Sequence, residues 1–322
     1  MDILEKPVVV VSKCLGFAHC RWNGLTIVAP AVERLKTAVN FLTVCPEVEI
    51  GLGVPRDPIR VVKQKGDIML VQPATGRNLT KLMKDFVASY LAGLAEVDGF
   101  ILKEKSPSCG TRRVKIYPGP GKAPVAAQGP GFFGGAVLEK FAHLPSEDEG
   151  RLNNFKIREH FLTRLFAVFR FRKLKHSPSF FRLVEFQAQN KLMFMAYNRQ
   201  RMIDMGKITA NHEKKSLQEV LTDYESHFYR VFAAIPRYTS NINVLMHAFG
   251  YVSKRIAKEE RDFFLGMLEK YRDEHLPLSA LTGVLKAWII RFEVEYLRQQ
   301  TFFDPYPESL MELGDSGKGR EF

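Results

Sequence analysis

Apolar and polar positions alternate in two different rhythms along the chain. In the first half, strand-like apolar runs occur at 7–11, 40–44, 67–72, 99–103 and 124–128. Helical patterns separate them. The clearest covers 78–96, where Leu79, Leu82, Met83, Phe86, Tyr90, Leu91 and Leu94 recur at spacings of three and four. Alternating strands and helices predict an α/β domain with a mostly parallel sheet covered by helices.

The rhythm changes near 144–151 (LPSEDEGR). Beyond it, the stretches 153–173, 180–201, 215–233, 240–256, 259–275 and 279–300 all read as helices. Turn signals at Pro178, Gly206, Pro236 and Pro277 separate them. The second half is therefore predicted to be all-α. The stretch 151–175 is both aromatic and basic and reads as a bridging helix. The predicted organisation is an α/β domain at 1–148, a bridging helix or linker at 149–178, a helical domain at 179–312 and a flexible tail at 313–322.

Composition adds little, with 46% hydrophobic and 25% charged residues. Charge adds more. The net charge of +12 and a pI near 9.5 favour a polyanionic partner, because basic groups release the counterions condensed on phosphates. The excess is uneven, +4 over 1–150 and +8 over 151–322. The plain alternative is a solvated Lys/Arg face. No stretch approaches the roughly 18 apolar residues that span a bilayer. The start, MDILEKPVVVV, lacks the basic region of a signal peptide. The expectation is a cytoplasmic protein, not bound to membrane, with four reduced cysteines.

Three of those cysteines follow strand-like runs. Cys14 comes after 7–12, Cys45 after 40–44 and Cys109 after 99–103. Turns at a sheet edge are where α/β domains build reactive sites. Three thiols can hold a metal or a cluster and leave one coordination position free. The five residues between Cys14 and Cys20 do not match a CxxC spacing. Spacing alone leaves three readings open: a tetrahedral site of all four thiolates, an iron–sulfur cluster, or buried inert cysteines. Glu47, two residues after Cys45, can point into the same cavity as an acid or base, or it can be a surface turn residue. Ser106, three residues before Cys109, can face the same site or simply form the turn. GPGFFGG at 129–135 lacks the Lys-Ser/Thr of a phosphate-binding loop and reads as a passage from strand to helix. With no Rossmann fingerprint either, no nucleotide cofactor is expected.

Taken together, VSKCLGFAHCRWNG, TVCPEVEIGLGVPRDPIR, TGRNLT and ILKEKSPSCG resemble, in order and spacing, the successive motifs of the thiouracil desulfidase (TudS) family. The resemblance covers roughly 5–145. In the second half, EGRLNNFKIREHFLTRLF, NVLMHAFGYVSKRI and YLRQQTFFDPYP resemble the YbgA-like helical domain. A chain with both parts is similar to tRNA thiouridine desulfidases, in which the helical part is taken to engage tRNA. The resemblance implies a 4Fe-4S cluster held by Cys14, Cys45 and Cys109, with Glu47 as the catalytic acidic residue and Ser106 as the catalytic serine. Cys20 is assigned to packing or shaping the loop under Arg21, Trp22, Asn23 and Gly24. Trp22-Asn23 stands where shorter members usually have Tyr-Asp.

The implied reaction converts 4-thiouridine in tRNA to uridine and releases hydrogen sulfide. Phosphate contacts are expected from Arg164, Arg170, Arg172, Lys173, Lys175, Lys254 and Arg255. Two alternatives stand beside this reading. One is a non-catalytic RNA-binding protein with a structural metal site that includes Cys20. The other is a desulfidase of free thiouracil.

Overall fold

The structure is a computed structural model, and it describes residues 5–312. The predicted tail at 313–322 lies outside the described residues. These residues divide into two compact units, 5–169 with 309–312 and 170–308.

The first unit runs β1 (Val8–Ser12), α1 (Pro30–Leu35), β2 (Asn40–Val44), α2 (Pro46–Glu49), β3 (Arg60–Gln64), β4 (Asp67–Gln72) and β5 (Arg77–Asn78). It continues through α3 (Thr80–Ala92), β6 (Gly99–Leu102), β7 (Val114–Tyr117), β8 (Ala127–Gly129), α4 (Phe132–Lys140) and β9 (Ser146–Asp148). Four strands in the order β2-β1-β6-β9 form an all-parallel sheet. A strand covered on both faces reads as a continuous apolar run. β1 is such a strand, with Val8, Val9, Val10 and Val11 between 0% and 3% exposed. Its register sets Ser12 opposite Val44 and Val11 opposite Ile101.

A second sheet, in the order β5-β4-β3-β7-β8, is mostly antiparallel. The apolar pattern does not foresee this sheet as a unit, although it marks β4 and overlaps β8. β3 reads RVVKQ, a short run flanked by charge, and its hairpin to β4 turns on Lys65-Gly66. Both turn residues have positive φ, 50° and 95°, as a two-residue hairpin loop of this twist needs. The run expected at 124–128 starts later, as β8, and the helix expected over 78–96 is shorter, as α3.

Helix α5 (Phe155–His176) follows, and the division into units falls within it. Next come α6 (Phe180–Ala210), α7 (Leu217–Val231), α8 (Tyr238–Gly250), α9 (Lys258–Arg272), α10 (Leu278–Arg291) and α11 (Glu295–Arg298). The all-α expectation holds for this half. Gly206 is not a turn, however, but sits inside α6, which ends at the left-handed Asn211. Glycine lowers helix stability by only about 1 kcal/mol, which buried neighbours such as Met202 and Met205 outweigh. The break in α6 lies at Asn198 instead, with φ −157° and ψ 100°. The core of this unit is aromatic: Phe171 stacks on Phe228 at 4.4 Å, and Phe186, Phe194 and Phe232 surround them. Tyr224 places its hydroxyl on Gln187 Oε1 at 2.8 Å, so its burial leaves no orphan donor.

Residues 309–312 return to the first unit. Glu312 pairs with Arg34, and its carbonyl accepts from Arg158 Nη2 at 3.0 Å. Among the described residues no helix is long and apolar enough to cross a membrane.

The central strand should dominate the stability of the first unit. Val10 is 0% exposed, and Val10→Ala removes two methyl groups at about 0.8 kcal/mol each and leaves a cavity. Urea unfolding should show a loss of about 2 kcal/mol, against less than about 0.5 kcal/mol for the exposed Val28→Ala.

Candidate active site

Because β1, β2 and β6 are parallel, their C-terminal ends share one edge of the sheet. Cys14 lies just past β1, Cys45 directly after β2, and the Ser106–Cys109 turn in the loop after β6. The pairing runs on past the strands: Lys13 N donates to Val44 O at 2.8 Å, and Lys103 N donates to Ser12 Oγ at 2.9 Å. Cys14 is half-buried, while Cys20, Cys45 and Cys109 are buried at 6%, 8% and 5% exposure.

The loop after β1 folds back on itself. The Cys14 carbonyl accepts from Ile27 N at 2.8 Å and from Thr26 Oγ1 at 3.0 Å. This brings Cys20 under the strand ends, where its carbonyl accepts from Cys45 Sγ at 3.8 Å. Contact with Cys14 and burial both push the Cys20 thiol up. Cys45 is pushed up strongly, first by its hydrogen bond with Cys20 and then by burial. Burial pushes Cys109 up to about 12, partly offset by hydrogen bonds with Ser12 and Ser108. The Glu47 carboxylate also raises Cys109, so groups from the ends of β1 and β2 act on the thiol in the loop after β6. Sequence reasoning set Cys20 aside as a loop residue. The structure seats it between two of the three expected ligands.

Among the described residues no three His, Cys, Asp or Glu side chains are arranged to hold a single metal ion. A polynuclear cluster asks for something different, since each thiolate binds its own iron. The donor set fits that case: soft sulfur ligands on three adjacent strand ends.

Glu47 lies in α2, which starts at Pro46, a residue suited to a first helical position. Its carboxylate is held from both sides. Arg56 Nε and Nη2 donate to Oε2 at 2.9 and 2.7 Å. Ser108 Oγ donates to Oε1 at 2.7 Å, and Ser106 Oγ lies 3.5 Å from the same oxygen. Arg56 Nη1 also donates to the carbonyls of Cys20 and Gly53, each at 3.0 Å. The side chains of Arg56 and Glu47 are only 4% and 12% exposed, so this ion pair is sheltered from water. The site thus contains Glu47 and Ser106, as expected, together with Arg56 and Ser108. Arg56 carries no signal in GVPRDP beyond its charge, and Ser108 reads as one more turn residue.

The GPGFFGG motif is more than a passage from strand to helix. The first N–H groups of a helix have no partner within it. Here Gly131 N donates to Gly110 O at 2.7 Å, Phe132 N to Pro107 O at 3.1 Å, and Phe133 and Gly134 N to Ser108 O at 2.9 and 3.1 Å. The start of α4 therefore grips the serine–cysteine turn, and its N–H groups are not offered to a phosphate. The grip demands glycine. A Cβ on Gly134 would lie 2.3 Å from Gly110 O and 2.4 Å from Cys109 O. One on Gly131 would lie 2.6 Å from the carbonyls of both Pro107 and Ser108.

The basic residues expected to meet RNA are placed differently from one another. Lys173, Lys254 and Arg255 are exposed. Arg255 rests over the Phe292 ring at 4.5 Å and donates to its carbonyl. Lys175 pairs with Glu225 at 2.8 Å, and Arg164 donates to His143 O at 3.3 Å. Arg172 is 4% exposed. The Arg170 guanidinium is buried and donates to Pro305 O at 3.0 Å, and desolvation lowers its pKa to about 10. Arg170 and Arg172 thus fall inside the fold, because the aromatic face of α5 that carries them packs inward. They are dropped from the candidate RNA contacts.

Comparison with known proteins gives two family matches on this chain. Residues 9–149 match a model described as 2-thiouracil desulfurase, and 191–307 match one described as a protein of unknown function (DUF1722). YbbK of Bacillus subtilis (strain 168), described as uncharacterized, is 32% identical over 111 residues, covering 32% of this chain and 74% of YbbK. A solved structure described as the 4Fe-4S-dependent thiouracil desulfidase TudS is 29% identical. That match covers 46% of this chain and 93% of the other, with a TM-score of 0.35.

The α4 grip makes a sharp prediction. Gly134→Ala should displace the serine–cysteine turn, lower the melting temperature and expose Cys109 to a thiol reagent. Gly135→Ala, whose Cβ would meet only Pro130 side-chain atoms at 3.3 Å, should do much less. Equal thiol reactivity in the two variants would show that the grip does not hold the turn.

Proposed function

The chain belongs to the 2-thiouracil desulfurase family through residues 9–149, with a DUF1722 domain behind them, and on that premise we propose that it is a tRNA thiouridine desulfidase. It converts 4-thiouridine to uridine and releases hydrogen sulfide. The observation that carries this reading is the sheltered Glu47 carboxylate, bonded to Ser108 and near Ser106, beside three thiols that share one sheet edge.

Cys14, Cys45 and Cys109 hold a 4Fe-4S cluster in this proposal. When bound, it supplies an open iron that draws electron density from a soft thiocarbonyl sulfur. The protein's own groups do the rest. Glu47 takes a proton from the attacking water and returns one to the departing sulfur. Ser106, half-buried at the mouth of the turn, orients the water or the ring nitrogen. Water adds to the ring carbon, the C–S bond breaks, and the products are a carbonyl and hydrogen sulfide. The balance needs no net electron transfer, so neither a flavin nor a nicotinamide is called for.

A thiolated base in tRNA must leave its stack to reach groups this buried. Support for an RNA substrate comes from the net charge of +12, its excess in the second half and the exposed Lys173, Lys254 and Arg255. The position of Cys20 favours a second reading, in which four thiolates close a structural metal site. It makes a different prediction for iron content.

Protein purified without oxygen and loaded with iron and sulfide should deplete 4-thiouridine from thiolated tRNA, as read by digestion and nucleoside quantification. Fully loaded protein that leaves the thionucleoside unchanged would overturn the proposal. Glu47→Ala should cut the rate by roughly 10²–10⁴-fold while iron content stays constant. Cys20→Ser should keep full iron, and loss of iron there would favour the four-thiolate site. Equal turnover of free thiouracil with no salt-sensitive binding of tRNA would assign the small molecule as substrate instead.

A further inference from the structure

Resting on the desulfidase reading, we infer that Ser108 is a positioning residue through which Ser106 and Glu47 act as one proton-transfer unit. Four observations carry this. First, Arg56 places two donors on Glu47 Oε2, at 2.9 and 2.7 Å, which leaves Oε1 as the oxygen free to take a proton. Second, Ser108 Oγ lies 2.7 Å from Oε1, while Ser106 Oγ lies 3.5 Å away, at the edge of hydrogen-bond range. Third, the two serine oxygens are 3.0 Å apart. Fourth, Ser106 Oγ already accepts from Cys109 N at 3.1 Å and from Ser108 N at 3.3 Å, so its hydroxyl proton turns toward Ser108 or outward.

Burial decides which serine meets substrate. Ser108 is 1% exposed and has no route to a ligand. Ser106 is half-buried, and Glu47 keeps 12% of its side chain exposed. A hydroxyl has one proton to give, and the Ser108 proton lies on the carboxylate. Its oxygen lone pairs therefore face Ser106. The polar chain runs Ser106 Oγ, Ser108 Oγ, Glu47 Oε1, and ends at Arg56.

The proton count closes. A water that displaces the long 3.3 Å contact from Ser108 N and gives a proton to the Ser106 Oγ lone pair so freed becomes the nucleophile. Ser106 passes its own proton to Ser108, and Ser108 passes its own to Glu47. Each serine loses one proton and gains one, and Glu47 ends as a neutral carboxylic acid. The reverse stroke delivers that proton to the departing sulfur, and the hydroxyl proton left on the ring carbon follows it to sulfur as the carbonyl forms, which gives hydrogen sulfide. No electrons move along the chain, and each oxygen stays in place.

The test compares Ser108→Ala, Ser106→Ala, the double variant and Ser108→Thr, after iron content and melting temperature are shown to match the parent protein. Steady-state kinetics on thiolated tRNA and on free thiouracil should show Ser108→Ala lowering kcat by about tenfold or more with KM nearly unchanged. The double variant should be no worse than Ser106→Ala alone, because both changes break the same unit. Ser108→Thr, which keeps the hydroxyl, should recover most of the loss. A kcat within about twofold of the parent for Ser108→Ala, or multiplying losses in the double variant, would overturn the inference. If Ser108→Thr fails to fold, the first two measurements decide. A crystal structure of Ser108→Ala gives a readout free of activity. It should show Ser106 without a hydrogen bond to Glu47, and a direct bond formed there would also overturn the inference. If the parent protein is inert on both substrates, the function proposal fails, and the Ser108→Ala structure judges the bridge by itself.

Discussion

Parallel pairing of β1 with β2 on one side and β6 on the other is the constraint from which the site follows. Parallel strands end at the same edge, so three loops far apart in sequence are delivered to one place. The pairing is enforced by burial, since β1 carries valines that are shielded on both faces. Backbone pairing then fixes the register, with Ser12 opposite Val44 and Val11 opposite Ile101. The register that protects the core therefore also sets the heights at which Cys14, Cys45 and the serine–cysteine turn emerge.

Strand ends place the loops, and two further devices shape them. The start of α4 takes the carbonyls of the serine–cysteine turn and can approach only because Gly131 and Gly134 lack a Cβ. Arg56 ties the Glu47 carboxylate to the Cys20 carbonyl, joining the loops after β1 and β2. Both devices satisfy buried polar groups that would otherwise be costly, and both leave the same oxygen, Glu47 Oε1, facing the serines. Chemistry and stability are thus served by the same bonds. The helical half is built differently. Its core is a pack of aromatic rings around Phe171 and Phe228, and apart from Arg170 and Arg172 its candidate RNA-contacting charge lies on side chains outside that core.

Much of this was legible along the chain. Apolar runs marked β1, β2, β4 and β6, most plainly β1 and β6, which are buried along their whole length and cannot hide their composition. Periodic leucines marked α3, and the loss of strand signal marked the all-helical half. The cysteines and Glu47 stood out through residue type and place. Other features were silent for identifiable reasons. β3 is brief and ends in charge, so only its pairing reveals it. Gly206 looks like a break, yet packing carries α6 through it, while the real kink at Asn198 has no local signature. Arg170 and Arg172 carry the charge expected of a surface, and only the packing of α5 shows that their guanidinium ends lie inside.

The sequence by itself determined the class of fold, the order of its elements, and the thiols and carboxylate available for chemistry. These depend on composition and on periodicity over a few residues, which a linear reading captures. The tertiary structure alone decided the partnerships. It set Cys20 against Cys14 and Cys45, put Arg56 and Ser108 on opposite oxygens of Glu47, and turned a glycine-rich helix start into the grip on the serine–cysteine turn. The physical reason is that a hydrogen bond depends on distance and direction in space. Residues 61 positions apart, such as Glu47 and Ser108, acquire these only when the strands that carry them are paired.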